Sequence, residues 1–276
     1  MSQTAEKPKI PEVKEPLVLR GDLNGVATLT LNRPAQRNCL SEALMTALSD
    51  ALKAAGNDKS VRVVVLAANG PAFSSGHDLK ELTSRRGDGD NGRGYYNKIM
   101  TQCSAMMQTI VNLPKPVIAR VHGVATAAGC QLVASCDLAI ASDHAKFATP
   151  GVNIGLFCST PMVALSRNVS RKHAMEMLLT GDMISATRAA EMGLVNEVTS
   201  ADELINTTQA LAEKIAAKSS HTLAIGKAAF YRQLEQPLHE AYNYASEVMV
   251  KNMLARDAEE GIGAFIEKRE PRWEDK

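Results

Sequence analysis

The chain has no long apolar run, no excess of charge of either sign, no paired-cysteine motif and no internal repeat. Nothing approaches the ~18 consecutive apolar residues of a membrane-spanning helix, so no membrane partner is expected. Thirty-one basic against thirty acidic side chains leave a net charge of +1. That balance points away from nucleic acid as a partner, because such surfaces need a broad basic face. Any anion site has to be local. The five cysteines (Cys39, Cys103, Cys130, Cys136 and Cys158) are odd in number and form no C-x-x-C pair. They therefore read as reduced packing thiols rather than a disulfide framework or zinc cluster, and no metal is expected. The opening "MSQTAEKPKIPEVKEP" lacks the basic start and apolar stretch of a signal peptide, and its three prolines block helix formation. These features predict a cytoplasmic protein with a loose tail over residues 1–16.

What is present is a 276-residue chain with 45% apolar residues, enough for one sizeable core. Leu17 to Arg20 and Val26 to Leu31 flank "GDLNG" and predict a hairpin, since Asn-Gly favours positive φ. Ser41 is placed to cap a helix in which Leu44, Leu48 and Leu52 recur every four residues. The run "VRVVVLAA" reads as a strand covered on both faces. "TSRRGDGDNGRG" reads as a mobile exposed loop before a helix from Tyr95 to about Leu113. "PKPVIARVHG" starts another buried strand, "VATAAGCQLVASCD" passes from turn to helix, and "LAIAS" and "KFAT" are two short strands. From Pro161 onward almost everything has helical spacing. The prediction is an α/β core over residues 17–200 followed by a helical region over 201–276.

Two turns stand out. "SSGHDLK" and "HGVATAAGCQL" each follow a buried strand with small residues and then open a helix. Small residues let a ligand approach the backbone, and the first N–H groups of a helix have no intrahelical partner. Two such turns side by side would present two donors to one oxygen. Spacing alone reads first as two ordinary strand-to-helix turns.

More specific are "NRPAQRNCLS", "GPAFSSGHDLKEL", "PKPVIARVHGVATAAGCQLVASCDLAIAS", "FATPGVNIGL" and "GIGAFIEKREPRW". In order and spacing they resemble the signature segments of the enoyl-CoA hydratase/isomerase family, the crotonases. The resemblance runs from about residue 17 to the C-terminus. It implies a ClpP-like β/β/α superhelix whose C-terminal helices form a homotrimer or a dimer of trimers. It also implies an acyl-CoA thioester as substrate, with coenzyme A part of that substrate and no separate cofactor. By position, the main-chain N–H groups of His77 and Ala128 are implied to hold the thioester carbonyl. Arg37, Asn38, Cys39, Asp78, Leu79 and Lys80 are implied to lie along the CoA moiety, and Phe265 and Lys268 to reach it from a neighbouring subunit. Read as residues alone, each lysine or arginine is equally a solvated charge, and Asp78 is a helix N-cap rather than an acid.

The pattern breaks where chemistry would be done. Hydratases of the family carry two glutamates, and here those places hold Gln131 and Gly151. Dienoyl-CoA isomerases carry an aspartate two residues further on, where this chain has Asn153. An amide can orient water but cannot accept a proton near neutral pH. Losing general acid–base groups costs about 10²–10⁴ in rate for each. His77, with an ordinary pKa near 6.5, could stand in if its ring turns inward, although a ring in solvent with only the backbone at work is the simpler reading. Cys158 reads first as a small buried thiol. His122 is expected to hydrogen-bond locally. The resulting expectation is an enzyme acting on a (2E)-enoyl-CoA or related thioester. The alternatives are a weak or inactive acyl-CoA-binding protein and, less well supported, a thioester hydrolase.

Overall fold

The structure is a computed structural model that describes residues 15–276. The predicted tail lies, apart from Glu15 and Pro16, outside the described residues. β1 (Val18–Leu23) and β2 (Val26–Leu31) form the expected hairpin around Asn24 and Gly25, both with positive φ (51° and 77°). That tight turn lets β1 absorb the "GDL" residues read as loop. α1 (Glu42–Asn57) starts where Ser41 Oγ accepts the Leu44 N–H at 3.2 Å, and its Leu44, Leu48 and Leu52 are fully buried.

The rest of the core is a repeated strand, strand, helix unit. β3 (Val63–Ala68) leads to β4 (Ala72–Ser74), then α2 (Leu79–Thr83) and α3 (Arg93–Asn112). β5 (Val117–Val121) leads to β6 (Val124–Thr126) and α4 (Ala128–Ser135). β7 (Leu138–Ser142) leads to β8 (Lys146–Ala148) and a 3-10 turn over Pro150–Ile154. Then come α5 (Pro161–Leu165), α6 (Arg171–Thr180), β9 (Ile184–Ser185), α7 (Ala186–Glu191) and β10 (Glu197–Thr199). The long strands make a six-stranded sheet in the order β1-β2-β3-β5-β7-β10, parallel except at the hairpin. The short ones make a second sheet, β4-β6-β8-β9, parallel up to β8. Because β4, β6 and β8 are parallel neighbours, the turns leaving them emerge side by side.

β3 shows why its sequence is continuously apolar. Val64 and Leu66 face the main core with Leu29, Leu44 and Phe73, whereas Val63 and Val65 face Ala212 and Ala216 of α8 (Leu204–Ala216). Both faces are covered, as expected of a parallel strand. Residues 84–91 are an exposed succession of turns. The prediction is corrected at four strands. The sequence predicts turns at β4 and β6 and a helical region at β9 and β10, because two- or three-residue strands carry no readable period of two. Each exists through pairing with a neighbour distant in sequence.

After α8 the chain forms α9 (Ser220–Gln233), α10 (Leu238–Met253) and α11 (Arg256–Glu267). These helices leave large apolar side chains uncovered, among them Leu238 at 75%, Leu254 at 83% and Phe265 at 85% exposure.

Candidate active site

The turns after β4 and β6 meet. Gly76, at φ +88°, lies so close to the second turn that a Cβ there would stand 2.9 Å from Ala127 Cβ and 3.3 Å from the Ala128 nitrogen. Gly129 is tighter still, for its Cβ would fall 2.2 Å from the Ser74 carbonyl oxygen. The smallness of both glycines is thus what brings the two backbones together. Ala127 adopts φ 50° and ψ −120°, a costly conformation for a residue with a side chain, and its N–H is held by the Ala148 carbonyl at 2.9 Å. Neither the His77 nor the Ala128 amide has an acceptor among the described residues. Both stand at the entry to a helix or its cap, where N–H groups are left over.

The first turn is clamped from below. Asn38 is fully buried; its Nδ2 donates to the Asn69 and Ala72 carbonyls, each at 2.8 Å, and its Oδ1 accepts the Arg33 N–H at 2.8 Å. Ser74 Oγ donates to the Asn38 carbonyl at 2.9 Å, and the Ser75 N–H to that of Arg37 at 3.1 Å. Arg37 itself is exposed and, like Asn38, left-handed (φ 50° and 49°). Asp78 caps α2 as predicted, its Oδ1 accepting the Lys80 and Glu81 amides at 3.2 and 3.3 Å. Its Oδ2 pairs with Arg33 at 3.2 Å and accepts from the Cys39 thiol at 3.3 Å. Burial pushes the Asp78 carboxyl up, but the Cys39, Glu81 and Arg33 donors outweigh it and hold the group below the usual range. Burial and then the Asp78 contact push the Cys39 thiol up to about 11. Leu79 and Lys80 are exposed on the first turn of α2.

The His77 ring does not face solvent. Both ring nitrogens are sealed from solvent, with the Leu40 backbone as their nearest polar neighbour. Gln131, on α4, is 5% exposed and its Oε1 is likewise buried and unpartnered. It reaches a cavity of about 700 Å³ between α3, α4, α5 and α9, whose walls include Met107, Val111, Val163, Lys227 and Tyr231.

The turn after β8 is built differently. A Cβ on Gly151 would stand 2.5 Å from the Leu156 carbonyl oxygen and 2.9 Å from Cys158 Sγ, so the space at 151 is filled by the following loop. Asn153 is exposed, with Nδ2 against Gly181 at the end of α6, and is not brought together with Gln131. Thr149, wholly buried, leaves its Oγ1 unpartnered. Cys158 is buried, and burial pushes its thiol up despite the opposing Gly151 backbone contact. Cys130 and Cys136 are core residues, and His122 Nε2 pairs with the Gly70 carbonyl at 2.7 Å, as expected. Phe265 and Lys268 stand exposed on and after the last turn of α11.

The model of the enoyl-CoA hydratase/isomerase family matches residues 21–276. The chain belongs to that family. It is 47% identical over 272 residues to the enoyl-CoA hydratase domain-containing protein 3 of Rattus norvegicus, covering 99% of this chain and 89% of that protein. The human protein of the same name is 49% identical over 251 residues, covering 91% of this chain and 81% of its own length. Its crystal structure superposes with a TM-score of 0.89, covering 93% of this chain and 100% of that chain. The crystal structure of enoyl-CoA hydratase from Mycobacterium smegmatis does so with a TM-score of 0.89 at 53% identity, covering 94% and 99%. The α/β crotonase fold is therefore shown. The cytoplasmic prediction is overturned, because the animal relatives from rat, mouse, human, frog and zebrafish that match across most of this chain are designated mitochondrial.

Within this crotonase the residues that build the two joined turns are Gly76, Gly129, Ser74 and Asn38 as much as His77 and Ala128. The resemblance pointed to His77, Ala128 and Asn38 and the small residues to close approach, but the buried hydrogen bonds by which Ser74 and Asn38 hold the first turn left no trace in the sequence. Arg33, which fixes Asp78, was missed because a charge 45 residues away in sequence announces nothing about its partner.

Proposed function

We propose that the protein binds an acyl-CoA thioester and polarises its carbonyl between the His77 and Ala128 main-chain N–H groups, acting on a (2E)-enoyl-CoA or related thioester. The observation that carries this reading is the contact of Gly76 and Gly129 with the opposite turn, which leaves two acceptor-free amides on adjacent backbones. One such donor typically contributes about 10²–10³ in rate, since it is preorganised where negative charge develops. The acyl chain runs past Gln131 into the 700 Å³ cavity. The exposed cations Arg37 and Lys80 flank the CoA moiety, with Asn38, Cys39 and Asp78 holding the loop that presents them, and Phe265 and Lys268 serve a neighbouring copy in a homotrimer or a dimer of trimers.

Calorimetric titration with butyryl-CoA and with palmitoyl-CoA, against CoA alone, tests binding. Saturable heat with an acyl-CoA is expected, and its absence for both would overturn the reading. A second reading, a catalytically weak acyl-CoA-binding protein, is favoured by the filled space at Gly151, which leaves no carboxylate beside Gln131. Failure to hydrate or isomerise enoyl-CoA of any length, with binding intact, selects it. Hydrolysis through Cys158 is disfavoured because its raised pKa keeps the thiol protonated at neutral pH.

A further inference from the structure

We propose that the cavity selects an acyl group ending in a carboxylate, the monothioester of a dicarboxylic acid, and that Arg232 and Arg167 read that far end. This rests on the acyl-CoA reading above. The path follows α4. Gln131, Ala134 and Ser135 line the cavity, and Ala128, whose amide is offered to the carbonyl, stands three residues before Gln131 on the same helix face. From Ala128 to Ala134 the helix rises about 9 Å, at ~1.5 Å per residue. There the Ala134 carbonyl accepts Asn168 Nδ2 at 2.7 Å, and the next residue, Arg167, is part of the cavity wall. A chain that starts at the Ala128 amide and keeps to this face therefore ends beside Arg167.

The charges at that end do not balance. Lys227 is answered within the protein, its Nζ donating to Asp137 Oδ2 at 2.7 Å, while the Tyr231 hydroxyl donates to Oδ1 of the same carboxylate at 2.9 Å. What remains is two guanidinium groups against one carboxylate, Glu235. Arg167 donates from Nε to Glu235 at 3.0 Å and from Nη1 to the Val163 carbonyl at 3.1 Å, which leaves Nη2. Arg232 lies in the last turn of α9, with its carbonyl accepting the Glu235 N–H at 3.4 Å, so both arginines meet at one end of the cavity. Its guanidinium is laid over the Tyr244 ring of α10, Cζ 4.4 Å from the centroid, and has no acceptor among the described residues. Stacking fixes the plane and leaves the N–H edge open, the fork that takes a carboxylate by two bonds. Glu235 already seats one carboxylate here, and a second would balance the cation left over. Methylenes leading to it are served by Met107, Val111 and Val163. A plain alkyl tail would end against the two guanidinium groups and displace their water without replacing its hydrogen bonds.

The test is calorimetric titration of the full chain with suberyl-CoA and octanoyl-CoA, which match in length and differ at the far end. Adipyl-CoA with hexanoyl-CoA and sebacyl-CoA with decanoyl-CoA are run alongside to cover neighbouring lengths. Because the Arg167–Glu235 pair is more than half exposed, the expected preference is that of a surface ion pair. At low salt the carboxylate-ended ester of at least one pair should bind about fivefold tighter, and added salt should erode the difference. Arg232→Gln is expected to abolish the preference while leaving octanoyl-CoA unchanged, and Arg232→Lys to keep part of it, which a packing role would not allow. Equal or weaker binding of the carboxylate-ended ester in all three pairs overturns the proposal, as does a preference that survives Arg232→Gln combined with Arg167→Gln. If the variants do not fold, the salt series on wild type decides: a preference that salt leaves unchanged overturns the assignment to the two arginines. If octanoyl-CoA and suberyl-CoA both fail to bind, the acyl-CoA reading falls instead.

Discussion

The turns after β4 and β6 and the turn after β8 occupy equivalent places in the repeated unit, yet they are built on opposite terms. The first two are emptied of side chains: Gly76 and Gly129 let the backbones touch and leave amides free. The third also has a glycine, Gly151, but there the vacated space is taken up by Leu156 and Cys158. In the proposed reading the electrophilic half of the site needs only main chain, and positions 131, 151 and 153 offer no carboxylate to move protons. A glycine therefore means different things in one fold, and what fills the room beside it decides which.

Substitutions sharpen that contrast. The largest effect is expected at Gly129→Ala, because the added methyl meets a backbone oxygen that cannot step aside. A loss of about 3 kcal/mol in chemical denaturation, the upper end of overpacking costs, is expected together with loss of acyl-CoA binding. An unperturbed variant would show that the two turns are not in contact. Next comes Gln131→Glu, which puts a carboxylate on an unfilled cavity wall. Crotonyl-CoA hydration should rise by about 10²-fold. Gly151→Glu should bring no gain and cost about 1–3 kcal/mol of stability, since its side chain has no room. Equal gains from the two would erase the distinction between the turns. Smallest is Asp78→Ala, which removes a cap and should cost about 1 kcal/mol at neutral pH. Asp78's folded pKa is depressed, so its contribution is present above the unfolded value near 3.9 and disappears as pH falls through the lower folded value. Stability curves of wild type and variant should converge there; a constant gap down to pH 2 would rule this out.

Much of this architecture was legible beforehand, for identifiable reasons. Ser41 with Leu44, Leu48 and Leu52 announces α1, Asn24-Gly25 announces the hairpin turn, and the valines of β3 announce a doubly covered strand. Asp78 was readable as a cap because capping is decided within three residues. The short strands β4, β6, β9 and β10 were not, since each is defined by a partner far away in sequence. The orientation of His77 was not either: a polar ring beside an aspartate reads as solvated until the Leu40 loop is folded over it.

By itself the sequence determined the α/β class, the crotonase kinship, the capped helix starts and the absence of carboxylates at 131, 151 and 153, because each is a matter of local residue chemistry or motif. Only the tertiary structure decided that Gly129 rests on Ser74, that Gly151 is walled in and that the His77 ring nitrogens are buried beside the Leu40 backbone. Those outcomes depend on which segments, tens of residues apart, pack within a methyl group's radius of one another, and no local pattern encodes that distance.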